Sequence, residues 1–176
     1  MTTLSPDSRA PWLVAHRGAR DEAPENTRVA FERALRYPID GIELDVQLSA
    51  DGVPVIYHDR TLRRVDGSRR RVHELALAEL EQLDWGGWFA PRFAGEPPAT
   101  LTRTLRLFGG RTRLMIEIKS DARDREAGRS ERLTDAVVQL LDQARDRVPP
   151  QGVLILSFDP DVLARAASQA PRWRYV

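Results

Sequence analysis

There is no cysteine among the 176 residues, so disulfides and thiolate metal sites are excluded and the redox compartment cannot be read. Histidine is scarce, with 3 in the chain. Lysine is scarcer still: within 27 basic residues, Lys119 stands alone. No apolar run approaches the roughly 18–20 residues of a membrane-spanning helix. Neither sign of charge dominates, because 27 basic residues face 26 acidic ones for a net charge of +1. That balance gives no footprint for nucleic acid and no polybasic anchor for a membrane. Met1 to Pro11 lacks the basic start and apolar core of a secretory signal. What remains is the composition of an ordinary soluble protein, 41% apolar and 30% charged, with the cytoplasm as its expected location. Its length suits one sizeable core rather than two domains. A polar, proline-containing arm is expected over 1–11 and a single domain over 12–176.

Along that domain, short apolar runs alternate with helical patterns. Trp12 to Ala15 reads as a buried strand closed by the turn His16-Arg17-Gly18. Pro24 and Asn26 open a helix carrying Ala30, Phe31, Ala34 and Leu35 at helical spacing, with Pro38 beyond it. Ile42 to Leu48 is a two-faced strand, with Ile42, Leu44 and Val46 on one side and Glu43, Asp45 and Gln47 on the other. Asp51-Gly52 is a turn, and Val53 to His58 the next strand. Residues 60–98 read as a long connection, helical over Leu75–Leu83 and packed down by Trp85, Trp88, Phe89 and Phe93.

A short helix follows over Thr100–Phe108, then a two-faced strand over Leu114–Ile118 and a charged, solvated stretch over 121–130. A helix over roughly 130–147, a strand over Val153–Phe158, a helix over Pro160–Gln169 and the start of a sixth strand at Trp173–Val176 complete the chain. Alternation of this kind predicts an α/β fold with a parallel sheet. In such sheets and barrels the functional site forms at the strand ends.

His16, Asp45, His58 and Lys119 all stand at such ends, and Glu43 and Glu117 lie one pleat earlier on the faces of Asp45 and Lys119. Ionisable groups in these places are unfavourable without a metal, a counter-charge or a substrate. Glu43 and Asp45 are neighbours on one face, and like charges this close resist joint ionisation unless a cation lies between them. Carboxylate oxygens suit Mg²⁺ or Ca²⁺ better than zinc, with Glu117 as the third ligand. The bland alternative is a solvated polar face on an edge strand.

Two strand-end histidines suit general acid–base work, against the alternative of structural imidazoles. His73, in the irregular connection, is read as structural. Arg17 and Lys119 offer positive charge to phosphoryl oxygens, although Lys119 also stands where it can pair with Glu117. Together these residues point to phosphoryl-ester chemistry. They leave open a diester, a monoester or another metal-assisted hydrolysis.

The runs His16-Arg17-Gly18, Pro24-Glu25-Asn26-Thr27, Gly41-Ile42-Glu43-Leu44-Asp45-Val46, Asp51-Gly52-Val53-Pro54-Val55, His58-Asp59, Glu117-Ile118-Lys119 and Ser157-Phe158-Asp159 resemble the glycerophosphodiester phosphodiesterases, in order and over nearly the whole chain. The resemblance implies a TIM (β/α)8-type barrel, of which this chain covers about the first five strand–helix units. It implies metal-dependent hydrolysis of a small glycerophosphodiester to sn-glycerol 3-phosphate and an alcohol. His16 and His58 would be the acid–base pair, and Glu43, Asp45 and Glu117 the ligands of Ca²⁺ or Mg²⁺. Arg17 and Lys119 would bind the phosphate, supported by Glu25, Asn26 and Asp59. Asn26 also suits a helix N-cap. Relative to the family the chain reads as C-terminally incomplete, which leaves three explanations: a fragment of a longer product, a module that a copy of itself or a second chain completes, or an inactive remnant. The competing readings are a non-catalytic or partner-completed module and a related phospholipase-type phosphodiesterase.

Overall fold

The computed structural model describes residues 11–176, so of the arm expected over 1–11 only Pro11 falls within it. The elements run β1 (Val14–His16), α1 (Arg28–Ala34), β2 (Gly41–Leu48) and β3 (Pro54–Ile56). Two single-turn helices, α2 (Arg63–Asp66) and α3 (Leu77–Leu80), precede α4 (Leu101–Phe108) and β4 (Arg113–Ile118). Then come α5 (Ala122–Glu126), α6 (Arg129–Gln143), β5 (Val153–Leu156), α7 (Pro160–Gln169) and β6 (Arg174–Tyr175). The sheet order is β1-β2-β4-β5-β6, all neighbours parallel, with β3 attached to β2 alone.

Period-2 patterning holds the sheet against its helices. Ile42, Leu44 and Val46 of β2 and Leu114, Ile116 and Ile118 of β4 are wholly buried in one core. Phe31 of α1 and Phe108 of α4 meet edge-on there, 5.7 Å between ring centres. Each such side chain contributes about 1.5–3 kcal/mol by leaving water. The helices are stopped and started as local chemistry dictates. Thr27 caps α1 by accepting from the Ala30 N–H, and Thr100 caps α4 by accepting from the Arg103 N–H, each at 3.3 Å. Asn26 is therefore not the cap of α1; the cap lies one residue later.

Three other expectations change in detail. Val53–His58 is not a member of the parallel set: its ordered core, β3, runs antiparallel to β2, with Val46 opposite Ile56. The Asp51-Gly52 turn explains this. Gly52 sits at φ +80° and the Ser49 N–H donates to the Val53 carbonyl at 3.0 Å, which closes a hairpin. Tight hairpins join antiparallel strands, whereas a parallel crossover needs a dozen or more residues. The five parallel strands are thus completed by β6. Helical spacing at Leu75–Leu83 yields only the single turn α3, and the charged stretch at 121–130 holds the short helix α5.

The long connection does pack as its aromatics require, over a second core of Val55, Tyr57, Leu62, Val72, Leu75, Leu80 and Trp85. Trp85 lies edge-on to Tyr57 at 5.2 Å and its indole N–H donates to the Leu80 carbonyl at 2.8 Å. Trp88, by contrast, remains exposed. Among the described residues no helix is long and apolar enough to cross a membrane.

Candidate active site

Register brings the carboxylates together. β2 pairs with β4 so that Asp45 faces Glu117, and with β1 so that Glu43 faces His16. Because side chains alternate along a strand, Glu43 and Asp45 share the face that the helices do not cover, and Glu117 joins them. One oxygen from each of the three lies within 4.8 Å of the others. Burial, then the charge of Asp45, pushes the Glu43 carboxyl up to about 7. Burial acts on Asp45 in the same sense, but the Lys119 ammonium, the Asn26 amide and the Arg17 guanidinium outweigh it and hold that group below its ordinary value.

The cations come from two strand ends. Lys119 Nζ sits 2.8 Å from Asp45 Oδ1 and 2.7 Å from Glu117 Oε1. Arg17 reaches the site because the chain turns sharply after β1. Arg17 and Gly18 have φ +60° and +81°, and a Cβ on Gly18 would lie 2.8 Å from the Ala30 backbone, so only glycine fits. The turn sends Arg17 Nε to within 3.1 Å of Asp45 Oδ2 and an η-nitrogen to within 3.2 Å of Glu25 Oε1. Its backbone N–H donates to the Glu43 carbonyl and to Glu43 Oε2, at 3.0 and 3.2 Å. Asn26, buried with φ +58°, donates from Nδ2 to Asp45 Oδ2 at 2.7 Å. Two side-chain-bearing residues in the left-handed region beside one carboxylate mark a site held in shape by its surroundings.

The histidines flank this cluster. His16 Nε2 lies 3.6 Å from Glu43 Oε2, and Arg20 reaches its Nδ1 at 3.1 Å. Burial, then Arg17 and Arg20, lowers its pKa, so the ring is neutral near pH 7. His58 arrives by the hairpin rather than by a parallel strand. The Gln47 amide donates to the carbonyls of Tyr57 and Asp59, at 2.8 and 2.9 Å, and pins the returning chain. The His58 Nδ1 lies 3.0 Å from Asp59 Oδ1.

His58 shares a groove of about 560 Å³ with Glu117 and Lys119, and it is linked to Arg17 only through Glu25, Asp59 and Arg64. Arg64 bridges Glu25 at 3.0 Å and Asp59 at 2.8 Å. Sequence reasoning missed Arg20, Gln47 and Arg64. Gln47 alone carried a signal, as the third polar residue on the Glu43–Asp45 face. His73 lines the far wall of the same groove, part-buried.

Two groups of acids could hold a metal ion, and their chemistry separates them. Glu43, Asp45 and Glu117 supply only oxygens. Asp45 Oδ1 is buried with the ammonium beside it but no aligned hydrogen bond, which leaves a lone pair for a hard cation. Glu25, His58 and Asp59 also converge, but Arg17 and Arg64 already neutralise their carboxylates. Cations stand beside both groups, Lys119 and Arg17 at the first and Arg17 and Arg64 at the second. The buried, all-oxygen set with its free lone pair is the one that fits a hard cation.

The model of the glycerophosphoryl diester phosphodiesterase family matches residues 16–176. A glycerophosphodiester phosphodiesterase of Bacillus subtilis is 33% identical over 176 residues, covering 96% of this chain and 58% of the relative. One from Caldanaerobacter subterraneus is 45% identical over 109 residues, 61% of this chain and 45% of the relative. A phosphodiesterase of Oleispira antarctica, solved in complex with the product sn-glycerol-3-phosphate, superposes with a TM-score of 0.82 at 33% identity. That match covers 94% of this chain and 64% of that one. The chain spans roughly half the length of the curated relatives it matches, and its five parallel strands correspond to part of their barrel. With a family model over nearly all of its described length, the chain belongs to the glycerophosphoryl diester phosphodiesterase family.

Proposed function

We propose that the protein hydrolyses glycerophosphodiesters to sn-glycerol 3-phosphate and an alcohol, using a divalent cation held by Glu43, Asp45 and Glu117. The observation that carries this reading is the convergence of those three carboxylates with Arg17 and Lys119 at adjoining strand ends. The product-bound relative supports the substrate class. Ca²⁺ and Mg²⁺ both suit an all-oxygen donor set. When bound, such an ion draws charge from the phosphoryl oxygens and makes the phosphorus more open to attack.

The chain's own residues do the rest. Without a metal, Lys119 is the counter-charge of Asp45 and Glu117. At this strand end its ammonium would also serve a phosphoryl oxygen of a bound phosphodiester. Arg17, anchored on Asp45 and Glu25, presents its remaining N–H groups to the same phosphate. The two histidines divide the proton transfers between the attacking oxygen and the departing alkoxide. Arg20 occupies Nδ1 of His16, and Asp59 occupies Nδ1 of His58. Nε2 is therefore the working atom of each ring.

Replacing either histidine tests the reading. His16→Ala and His58→Ala are expected to abolish release of glycerol 3-phosphate from glycerophosphocholine, with the far-ultraviolet circular dichroism unchanged. EDTA is expected to do the same, reversibly, on re-addition of Ca²⁺ or Mg²⁺. Undiminished turnover in either variant would remove the acid–base assignment.

A further inference from the structure

The groove that begins at His58 and Lys119 continues along the segment that follows β3. Beyond the phosphate-binding end its walls carry the carboxylates of Asp59, Asp121 and Asp124. Each has a guanidinium beside it: Arg64, shared with Glu25, on Asp59 at 2.8 Å, Arg60 on Asp121 at 3.5 Å and Arg129 on Asp124 at 2.8 Å. Two arginines of the same groove are left over. Arg63 opens α2 and Arg71 precedes the turn Val72–Glu74. Among the described residues neither guanidinium has a carboxylate at ion-pair distance.

Unpaired positive charge in a groove raises the local concentration of anions and binds them with charge-assisted hydrogen bonds. The phosphodiester itself brings one negative charge, which Lys119 of the groove and Arg17, its neighbour on Asp45, answer. The glycerol half of the substrate is neutral. Further positive charge in the groove therefore complements only the alcohol half.

We infer that this groove is a subsite for an anionic alcohol, so that the preferred substrates are glycerophosphodiesters whose alcohol bears a phosphate or a carboxylate. Arg63 and Arg71 are the residues that select it. The inference rests on the reaction proposed above and adds to it the class of the leaving alcohol.

Two matched pairs of compounds distinguish the two sources of charge. Glycerophosphoinositol 4-phosphate against glycerophosphoinositol isolates the phosphate. Glycerophosphoserine against glycerophosphoethanolamine isolates the carboxylate. The anionic member of at least one pair is expected to have a kcat/KM about tenfold higher. Arg63→Gln and Arg71→Gln are each expected to remove about threefold of that advantage, chiefly through KM. Turnover of glycerophosphoinositol, whose alcohol is uncharged, should be unchanged in both variants. Raising salt from about 0.05 to about 0.3 M should shrink the advantage.

Equal kcat/KM within both pairs overturns the subsite while leaving the reaction standing, as do variants that slow all substrates alike. Calorimetric binding of the same compounds separates the opposite case. Tighter binding of the anionic member, lost in Arg63→Gln, with no hydrolysis of any compound, would uphold the subsite and overturn the reaction. Equal binding within each pair in that case would overturn both.

Discussion

Asn26 shows most directly how one side chain serves both shape and chemistry. It is buried, holds a left-handed backbone and gives its amide to Asp45 Oδ2 at 2.7 Å. Asn tolerates that conformation better than most residues, whereas a Cβ without a local polar partner makes it unfavourable by about 1–2 kcal/mol. A hydrogen bond to a charged group contributes about 1.5–3 kcal/mol. Asn26→Ala should therefore lose both, and Asn26→Gly only the hydrogen bond. The alanine variant is expected to unfold at lower denaturant than the glycine variant, and both below the parent, by chemical denaturation followed by fluorescence. Equal midpoints for the two variants would show that the backbone there is unstrained.

The sequence left Asn26 two roles, a supporting residue of the site and a helix N-cap, the second natural for Asn-Thr before an apolar periodic run. Only the tertiary position of Asp45 distinguishes the residue that caps from the residue that reaches inward. The convergence of Glu43, Asp45, Glu117 and Lys119 was legible beforehand, because strand periodicity fixes facing without any knowledge of contacts; Arg17 was marked only by its place beside His16. Arg64 was not. It is one of many arginines in a stretch without periodicity, and its bridge between Glu25 and Asp59 depends on how a loop folds back.

Among the elements, the hairpin and the end of β5 decide how the site is framed. The order of elements could be read along the chain, but not the direction of Val53–His58. Its apolar run looks the same in either sense. The short Asp51-Gly52 turn held the answer, since so few residues cannot make a crossover.

Ser157-Phe158-Asp159 belongs to the same scale. The Ser157 hydroxyl donates to the Ile118 carbonyl at 2.9 Å, and the Ser120 hydroxyl to Asp159 Oδ2 at 2.6 Å. Arg125 adds a second bond to that oxygen at 2.9 Å, while Asp159 Oδ1 accepts from the Asp161 N–H at the start of α7. The two strand ends on either side of Lys119 are thus tied together and capped by one carboxylate. Asp159→Ala removes a cap worth about 1 kcal/mol and leaves the Ser120 hydroxyl with Ser130 as its remaining partner. A lower melting temperature is expected, together with a several-fold rise in KM for glycerophosphocholine as Lys119 loses its support. A variant with a lowered melting temperature and an unchanged KM would confine Asp159 to a structural role.

At the scale of the whole molecule, the site is a liability to the fold until it is filled. Five parallel strands place three carboxylates on one face, and the Glu43 carboxyl is pushed up to about 7 from 4.5 by burial and then by Asp45. Below pH 4.5 the group is protonated in both folded and unfolded chains, so it makes no difference. Between 4.5 and about 7 the unfolded chain releases the proton while the folded one keeps it, and stability falls as pH rises. Above about 7 the full difference applies, about 3 kcal/mol at 1.36 kcal/mol per pH unit. Asp45, held low by Lys119, Asn26 and Arg17 against its burial, acts oppositely, and its contribution is lost only as pH falls below its folded pKa.

A divalent cation among the carboxylates competes with that proton, so binding strengthens with pH and stabilises the folded chain by mass action. Mg²⁺ or Ca²⁺ should therefore raise the melting temperature far more at pH 8 than at pH 5.5, and the metal-free protein should melt lower at pH 8. Glu43→Gln, neutral at both values, should remove Glu43's share of that pH dependence, leaving the opposite trend from His16, and should remove much of the response to metal. Calorimetric melts with EDTA and with each cation at the two pH values decide the matter. An equal metal-induced rise at both would mean that the cation binds without displacing a proton from Glu43.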